Sequence, residues 1–131
     1  MILIDASAFI EFLNRTGSRE DTLIEQLILN NEDIVLADVT LTEILQGIKT
    51  DREYREVKAS LLTFPILTLK NPESYIAAAD LFRKCRKRGL TIRSTVDLLI
   101  AQIALEYGAT LLHNDRDFEA IAQVCDIGIY V

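Results

Sequence analysis

The feature that most constrains this chain is an alternation of two hydrophobic periods. Five short runs rich in Ile, Val and Leu, at residues 2–4, 34–37, 66–69, 110–112 and 127–131, are bounded by polar or turn residues and read as strands. Between them lie stretches of helical period at 8–13, 20–30, 41–48, 53–62, 72–88 and 96–107. Asn71 before Pro72 is a helix-start signal, and Gly89 and Gly108 are stop signals. Strands apolar on both faces that alternate with helices predict an α/β sandwich around a mainly parallel central sheet of about five strands. With 131 residues, half of them apolar, the chain suits one domain over 1–131 with a sizeable core. No internal repeat, low-complexity tract or linker interrupts it.

The charge balance narrows the partners. Acidic residues number 20 against 14 basic ones, a formal charge of -6, which is the wrong sign for a protein that simply coats nucleic acid. A phosphate-bearing partner must be attracted locally or through bound cations. Cys85 and Cys125 form no CxxC pair, so neither a disulfide framework nor a zinc knuckle is indicated, and a reducing cytoplasm is expected. The opening MILIDASAFIEFL lacks a basic flank and is interrupted by Asp5 and Glu11, unlike a signal peptide. No run approaches the roughly 20 apolar residues of a membrane span.

Topology then gathers acids that are far apart in sequence. In a parallel sheet, a segment leaving a strand starts at its carboxyl edge, and so does a helix returning to the next strand. Asp5 follows the first strand, Asp115 follows the fourth, Glu43 lies early in the helix after the second, and Asp97 lies in the first turn of the helix before the fourth. All four are therefore expected at one end of the sheet.

Each has a plainer reading taken alone, because acids in first turns complement the helix dipole for about 0.3–1 kcal/mol. Asp5 suits an Asx-turn or helix cap, with Ser7 as a cap or as a donor to its carboxylate. Leu41, Ile44, Leu45 and Ile48 define the core face of Glu43's helix, so Glu43 alone reads as a solvated charge. Asp115 and Asp117 in HNDRDF are ordinary turn and cap residues. Asp97 is different: it sits in VDLLIAQIAL, where eight of ten residues are apolar, and a buried acid is costly unless paired, capped or metal-bound.

Convergence of the four carries the functional reading. Two unit charges about 4 Å apart repel by roughly 4 kcal/mol at an effective dielectric of 20, so clustered carboxylates call for a cation. A single His and no cysteine cluster leave oxygen ligands, which favour Mg²⁺ or Mn²⁺ over zinc. Such ions share their shell with substrate phosphates and can activate water for in-line displacement, which points to phosphoryl chemistry.

The segments IDASAFI, LADVTLTEILQG and STVDLLIAQIALEYGATLLHNDRDF resemble the PIN domain family, specifically its small VapC-type toxins, over nearly the full length. The resemblance implies a Mg²⁺- or Mn²⁺-dependent endoribonuclease that cleaves without the 2′-hydroxyl as nucleophile, is held inactive by a cognate antitoxin, and is a homodimer. It carries the acidic positions onto Asp5, Glu43, Asp97 and Asp115, with Asp117 as a further, supporting acid and an additional candidate metal ligand, and Ser7 as the hydroxyl that steadies Asp5. Ala6 stands where Thr or Ser is frequent and His113 where Ser or Thr is common, departures that touch the hydrogen bonding around the acids.

FRKCRKRG concentrates positive charge within a helix, and Lys84, Lys87 and Arg88, with Arg93, form a candidate track for RNA phosphates. A solvated face that balances nearby acids is the plainer alternative. His113 reads as structural, and Cys85 as a half-buried structural thiol rather than a reactive one. Two other functions fit the pattern less well: a non-catalytic PIN-like module that binds RNA or protein, and an aspartate-pocket phosphotransfer protein such as a receiver. The latter lacks a convincing late-strand Lys and a D-x-D after the first strand, and no Walker A, G-x-G-x-x-G or G-x-S-x-G motif is present.

Overall fold

The computed structural model describes residues 1–131. In chain order the elements are β1 (Ile2–Ile4), α1 (Ala6–Leu13), α2 (Arg19–Leu29), β2 (Ile34–Ala37), α3 (Asp38–Leu45), α4 (Asp51–Leu61), β3 (Ile66–Leu67), α5 (Pro72–Lys87), α6 (Thr95–Tyr107), β4 (Thr110–Leu112), α7 (Arg116–Ile121) and β5 (Gly128–Ile129). The five strands form one sheet in the order β3-β2-β1-β4-β5, and every pairing is parallel. The receiver fold orders its strands 2-1-3-4-5, so this sheet is not of that kind.

Alternation along each strand divides the core. Leu3, Val35 and Leu111 face the cluster built on α5, α6 and α7, with Leu81, Ile100, Ile103 and Phe118. Ile4, Leu36 and Leu112 face the other cluster, with Phe9, Ile24, Val57 and Leu61 from α1, α2 and α4. Period-2 side-chain geometry thus turns three-residue apolar runs into two cores. Full burial of each Leu or Ile contributes roughly 1.5–3 kcal/mol. No helix is long and apolar enough to cross a membrane.

Several boundaries differ from the sequence reading, with identifiable causes. β3 stops at Leu67 rather than 69 because its partner β2 ends at Ala37, opposite Leu67, and the chain there turns into α3. That helix starts at Asp38, not 41: β2 runs into it without a loop, and the Asp38 carboxylate accepts from Val39 N at 2.8 Å. β5 shortens to Gly128–Ile129, opposite Thr110 and Leu111. α7 was hidden in turn-like composition, yet Asp115 caps it and Phe118 and Ile121 are fully buried. α5 and α6 pair antiparallel: Ser74 near the start of α5 donates to Glu106 near the end of α6 at 2.8 Å, while Phe82, Arg83 and Thr95 share a groove at the other end. α6 ends at Gly108, whose φ of 65° is the left-handed conformation that glycine adopts without strain.

Candidate metal centre

The strand order reverses between β1 and β4, and in open parallel sheets such a switch point leaves a crevice at the carboxyl edge. Asp5 leaves β1 there as the N-cap of α1, and its own N–H donates to Leu112 O at the end of β4, at 2.9 Å. Its Oδ2 accepts from Ser7 N at 3.0 Å and from Ser7 Oγ at 2.5 Å. Ser7 Oγ in turn accepts from Asn114 N at 2.9 Å, across 107 residues of sequence. One hydroxyl therefore locks the exits of two central strands together.

Beyond β4, Asp115 N donates to His113 Nδ1 at 3.1 Å, and Asp115 Oδ1 accepts from Asp117 N at 2.9 Å. His113 packs on Phe118 with ring centroids 5.1 Å apart, and burial lowers its pKa against the opposing pull of Asp5, Glu119, Asp115 and Glu20. Its Nδ1 is thus a neutral acceptor that shapes the turn. Asp117 accepts from Arg93 N at 2.9 Å and Arg93 Nε at 3.3 Å, and Arg93 Nη2 reaches Asp115 Oδ1 at 3.3 Å.

Asp97 projects from the first turn of α6, whose N-cap Ser94 makes no side-chain cap bond. Carboxylate oxygens of Asp97, Asp115 and Asp117 lie within 4.8 Å of one another. At that spacing a like-charged pair costs roughly 3–4 kcal/mol at an effective dielectric of 20. Glu43 stands in the second turn of α3. It is half-buried rather than solvated, because the side that turns from the apolar face of its helix turns into the crevice.

The electrostatics bind these acids into one unit. Burial raises Asp97 to about 8, aided by the charges of Asp5, Asp115 and Asp117. Burial likewise raises Glu43 to about 7, with Asp5 and Asp115 adding to it. Asp5, 3% exposed, is raised by burial against the lowering bonds from Ser7. Asp117 goes the other way: burial works to raise it, but the main-chain and side-chain bonds from Arg93 hold it below the usual carboxylate range.

Hydrogen-bond ownership differs among the acids. Asp5 Oδ1, Glu43 Oε1 and Asp97 Oδ2 are buried with no hydrogen-bond partner, and both of Asp115's bonds fall on Oδ1. Buried orphan carboxylate oxygens are expensive, and a divalent cation satisfies them. Proximity alone would select Asp97, Asp115 and Asp117. Asp5, Glu43, Asp97 and Asp115 each keep an oxygen free of hydrogen bonds, whereas each oxygen of Asp117 accepts one bond from Arg93 and retains its second lone pair.

Of the basic residues named above, Arg93 alone joins the acids. Lys84, Lys87 and Arg88 gather around Gln123 and Val124 beyond the last turn of α7, with Arg88 Nη1 donating to Gln123 O. The six residues of α7, a rise of about 9 Å, separate them from Asp115. The engagement of Arg93 with Asp115 and Asp117 had no sequence signal, because it joins residues up to 24 apart through a loop of irregular conformation. A cleft of about 950 Å³, lined by Arg19, Arg93, His113, Asp115, Arg116 and Tyr130 among others, opens beside the acids.

Comparison with known proteins gives concordant results. The sequence pattern of the PIN domain family matches residues 2–124. Ribonuclease VapC11 of Mycobacterium tuberculosis is 33% identical over 128 residues, covering 97% of this chain and 96% of the relative. Among solved structures, VapBC2 from Rickettsia felis, bound to a DNA fragment from its promoter, superposes with a TM-score of 0.76 at 20% identity, covering 99% of this chain and 98% of that one. VapC20 of M. tuberculosis, a toxin that cleaves the sarcin-ricin loop, does so with a TM-score of 0.70 at 16% identity, covering 92% and 94%.

Proposed function

This chain belongs to the PIN domain family, and on that premise we propose that it is a metal-dependent endoribonuclease, the toxin of a toxin–antitoxin pair, acting as one domain over residues 1–131. Asp5, Glu43, Asp97 and Asp115 hold Mg²⁺ or Mn²⁺, and Ser7 and Asp117 support them. The observation that carries this reading is the gathering of acids at the sheet's switch point: oxygens of Asp97, Asp115 and Asp117 within 4.8 Å of one another, with Asp5 and Glu43 coupled to them by charge and carrying buried, unpartnered oxygens. RNA is the substrate, as the name of the relative VapC11 says of that protein. A cognate antitoxin and a second copy of the chain are the expected protein partners, and the cytoplasm the expected compartment.

A divalent ion held by these acids supplies polarisation of the phosphodiester and a water nucleophilic at neutral pH. The chain's own groups supply the geometry. Ser7 fixes the Asp5 carboxylate by donating to one oxygen, which leaves the other buried and without a partner. The α7 cap orients Asp115 through its bond from Asp117 N. The main-chain N–H of Arg93 holds Asp117 at the side. With pKa values of about 7 and 8, Glu43 and Asp97 carry protons near neutrality in the metal-free protein, protons that a divalent ion held there would have to displace.

The test is incubation of purified protein with structured RNA in Mn²⁺, Mg²⁺ or chelator, beside Asp97→Asn. Expected are metal-dependent cuts, absent in the variant and in chelator, with fragment ends free of 2′,3′-cyclic phosphate because water rather than the 2′-hydroxyl attacks. Equal cleavage by the variant, or cyclic ends, would refute the reading.

A further inference from the structure

Arg93 differs from every other cation of the chain in what it touches. Its guanidinium bridges two of the three carboxylates of the acidic cluster, through Nη2 to Asp115 Oδ1 and Nε to Asp117 Oδ1, each at 3.3 Å. The remaining arginine–carboxylate pairs join Arg15 to Asp21 and Glu25, and Arg52 to Glu56, away from the site.

Three properties of this bridge bear on a metal. Both contacts are long beside the 2.7–2.9 Å usual for charge-assisted bonds, so neither is individually strong. The side chain is 59% exposed and already lines the large cleft, so its departure from Asp115 strands no buried charge. The firmest tie, Arg93 N to Asp117 Oδ2 at 2.9 Å, is a main-chain bond and is indifferent to where the guanidinium points.

A divalent ion on Asp115 would approach a carboxylate oxygen to about 2 Å. A guanidinium left on the same carboxylate would then stand a few ångströms from a doubly charged ion, an arrangement Coulomb repulsion disfavours. We propose that Arg93 is the site's resident counter-cation: its guanidinium neutralises Asp115 and Asp117 in the metal-free protein and competes with the divalent ion for Asp115, while its main chain keeps Asp117 in place throughout. Arg93 is therefore a positioning residue whose side chain sets the metal concentration at which the site fills. This rests on the metal reading of the proposed function.

Arg93→Met removes the charge and retains the main-chain donor and most of the stem. Titration calorimetry with Mn²⁺ alone, at pH 8 and low ionic strength, is expected to show binding tightened about fivefold or more, with the gain shrinking as salt rises. The metal-free variant is expected to melt below the parent protein, and added Mn²⁺ to close that gap. Arg93→Lys keeps a charge that cannot bridge both carboxylates and is expected to bind with intermediate affinity. Unchanged or weaker Mn²⁺ binding in Arg93→Met would overturn the proposal, because the guanidinium would then organise the ligands rather than compete with the ion. Should the Met variant fail to fold, a Lys variant that binds no tighter than the parent would overturn it equally. Absence of Mn²⁺ binding by the parent protein would instead sink the metal reading itself, and this inference with it.

Discussion

Replacing Asp97 by Asn should make the metal-free protein more stable, and more so the higher the pH. Asp97 is 4% exposed, and its pKa rises from the ordinary side-chain value of 3.8 to about 8 in the fold, through burial first and then the charges of Asp5, Asp115 and Asp117. Between those two values the folded chain retains a proton that the unfolded chain has lost. Stability from this group therefore falls as pH rises through the window, by at most about 1.4 kcal/mol per pH unit. Unscreened, the whole span of about 4 in pH would amount to roughly 5–6 kcal/mol. The crevice opens onto a wet cleft, so about half of that, roughly 2–3 kcal/mol at pH 8, is the realistic expectation. Asn is nearly isosteric, carries no charge at any pH, and can donate to Asp117 as a protonated Asp97 does. At about 0.28 kcal/mol per degree for 131 residues, the variant should melt about 7–11 °C higher at pH 8 in chelator, with little gain at pH 4–5. The assay is thermal unfolding at pH 5, 6.5 and 8, in chelator and in Mg²⁺. With Mg²⁺ the order narrows or inverts, since an ion at a hundred times its Kd restores about 2.7 kcal/mol to the parent chain and little to the variant. A gain that is independent of pH, or a lower melting point for Asp97→Asn at pH 8, would refute the account of Asp97 as an acid held under repulsion.

Other perturbations test the supports of the site. Ser7→Ala removes the donor to Asp5 and the acceptor for Asn114 N; Mn²⁺-dependent cleavage should fall about 10- to 100-fold with a stability loss of roughly 1–2 kcal/mol, and an unchanged rate across a Mn²⁺ titration would argue against the positioning role. Phe118→Ala empties a fully buried position behind the loop that carries Asp115; urea unfolding should register a loss of about 3–5 kcal/mol. Gly108→Ala meets open space but must adopt a φ near 65°; a loss of about 1 kcal/mol is expected, with cleavage retained when assayed well below the melting point. Lys84, Lys87 and Arg88 changed together to Ala should weaken RNA binding and flatten its dependence on salt; binding identical to the parent's would remove the block from the RNA path.

Much of the fold was legible in the sequence because strands and helices announce themselves through local partition of apolar groups. Three residues such as Ile2, Leu3 and Ile4 suffice, since consecutive side chains enter opposite cores. Parallel pairing followed from the helices between them, and the gathering of Asp5, Asp97 and Asp115 at one edge followed from parallel pairing. Boundaries were less legible where a neighbour decides them, as β2 decides the end of β3. α7 was hidden for a related reason: Asp115, Arg116 and Asp117 look like a turn until Phe118 and Ile121 find the core.

The sequence by itself thus determined the layered α/β architecture and the edge at which acids would collect, because hydrophobic period and chain direction are local properties that every residue carries with it. Only the tertiary structure decided which oxygens remain free there. Strand order set Ser7 against Asn114 across 107 residues, the loop before α6 gave Arg93 to Asp117, and the crevice rather than solvent received Glu43. Those outcomes rest on differences of a few tenths of an ångström in how closely distant segments approach. Hydrogen-bond ownership is settled at that scale, and no local pattern encodes it.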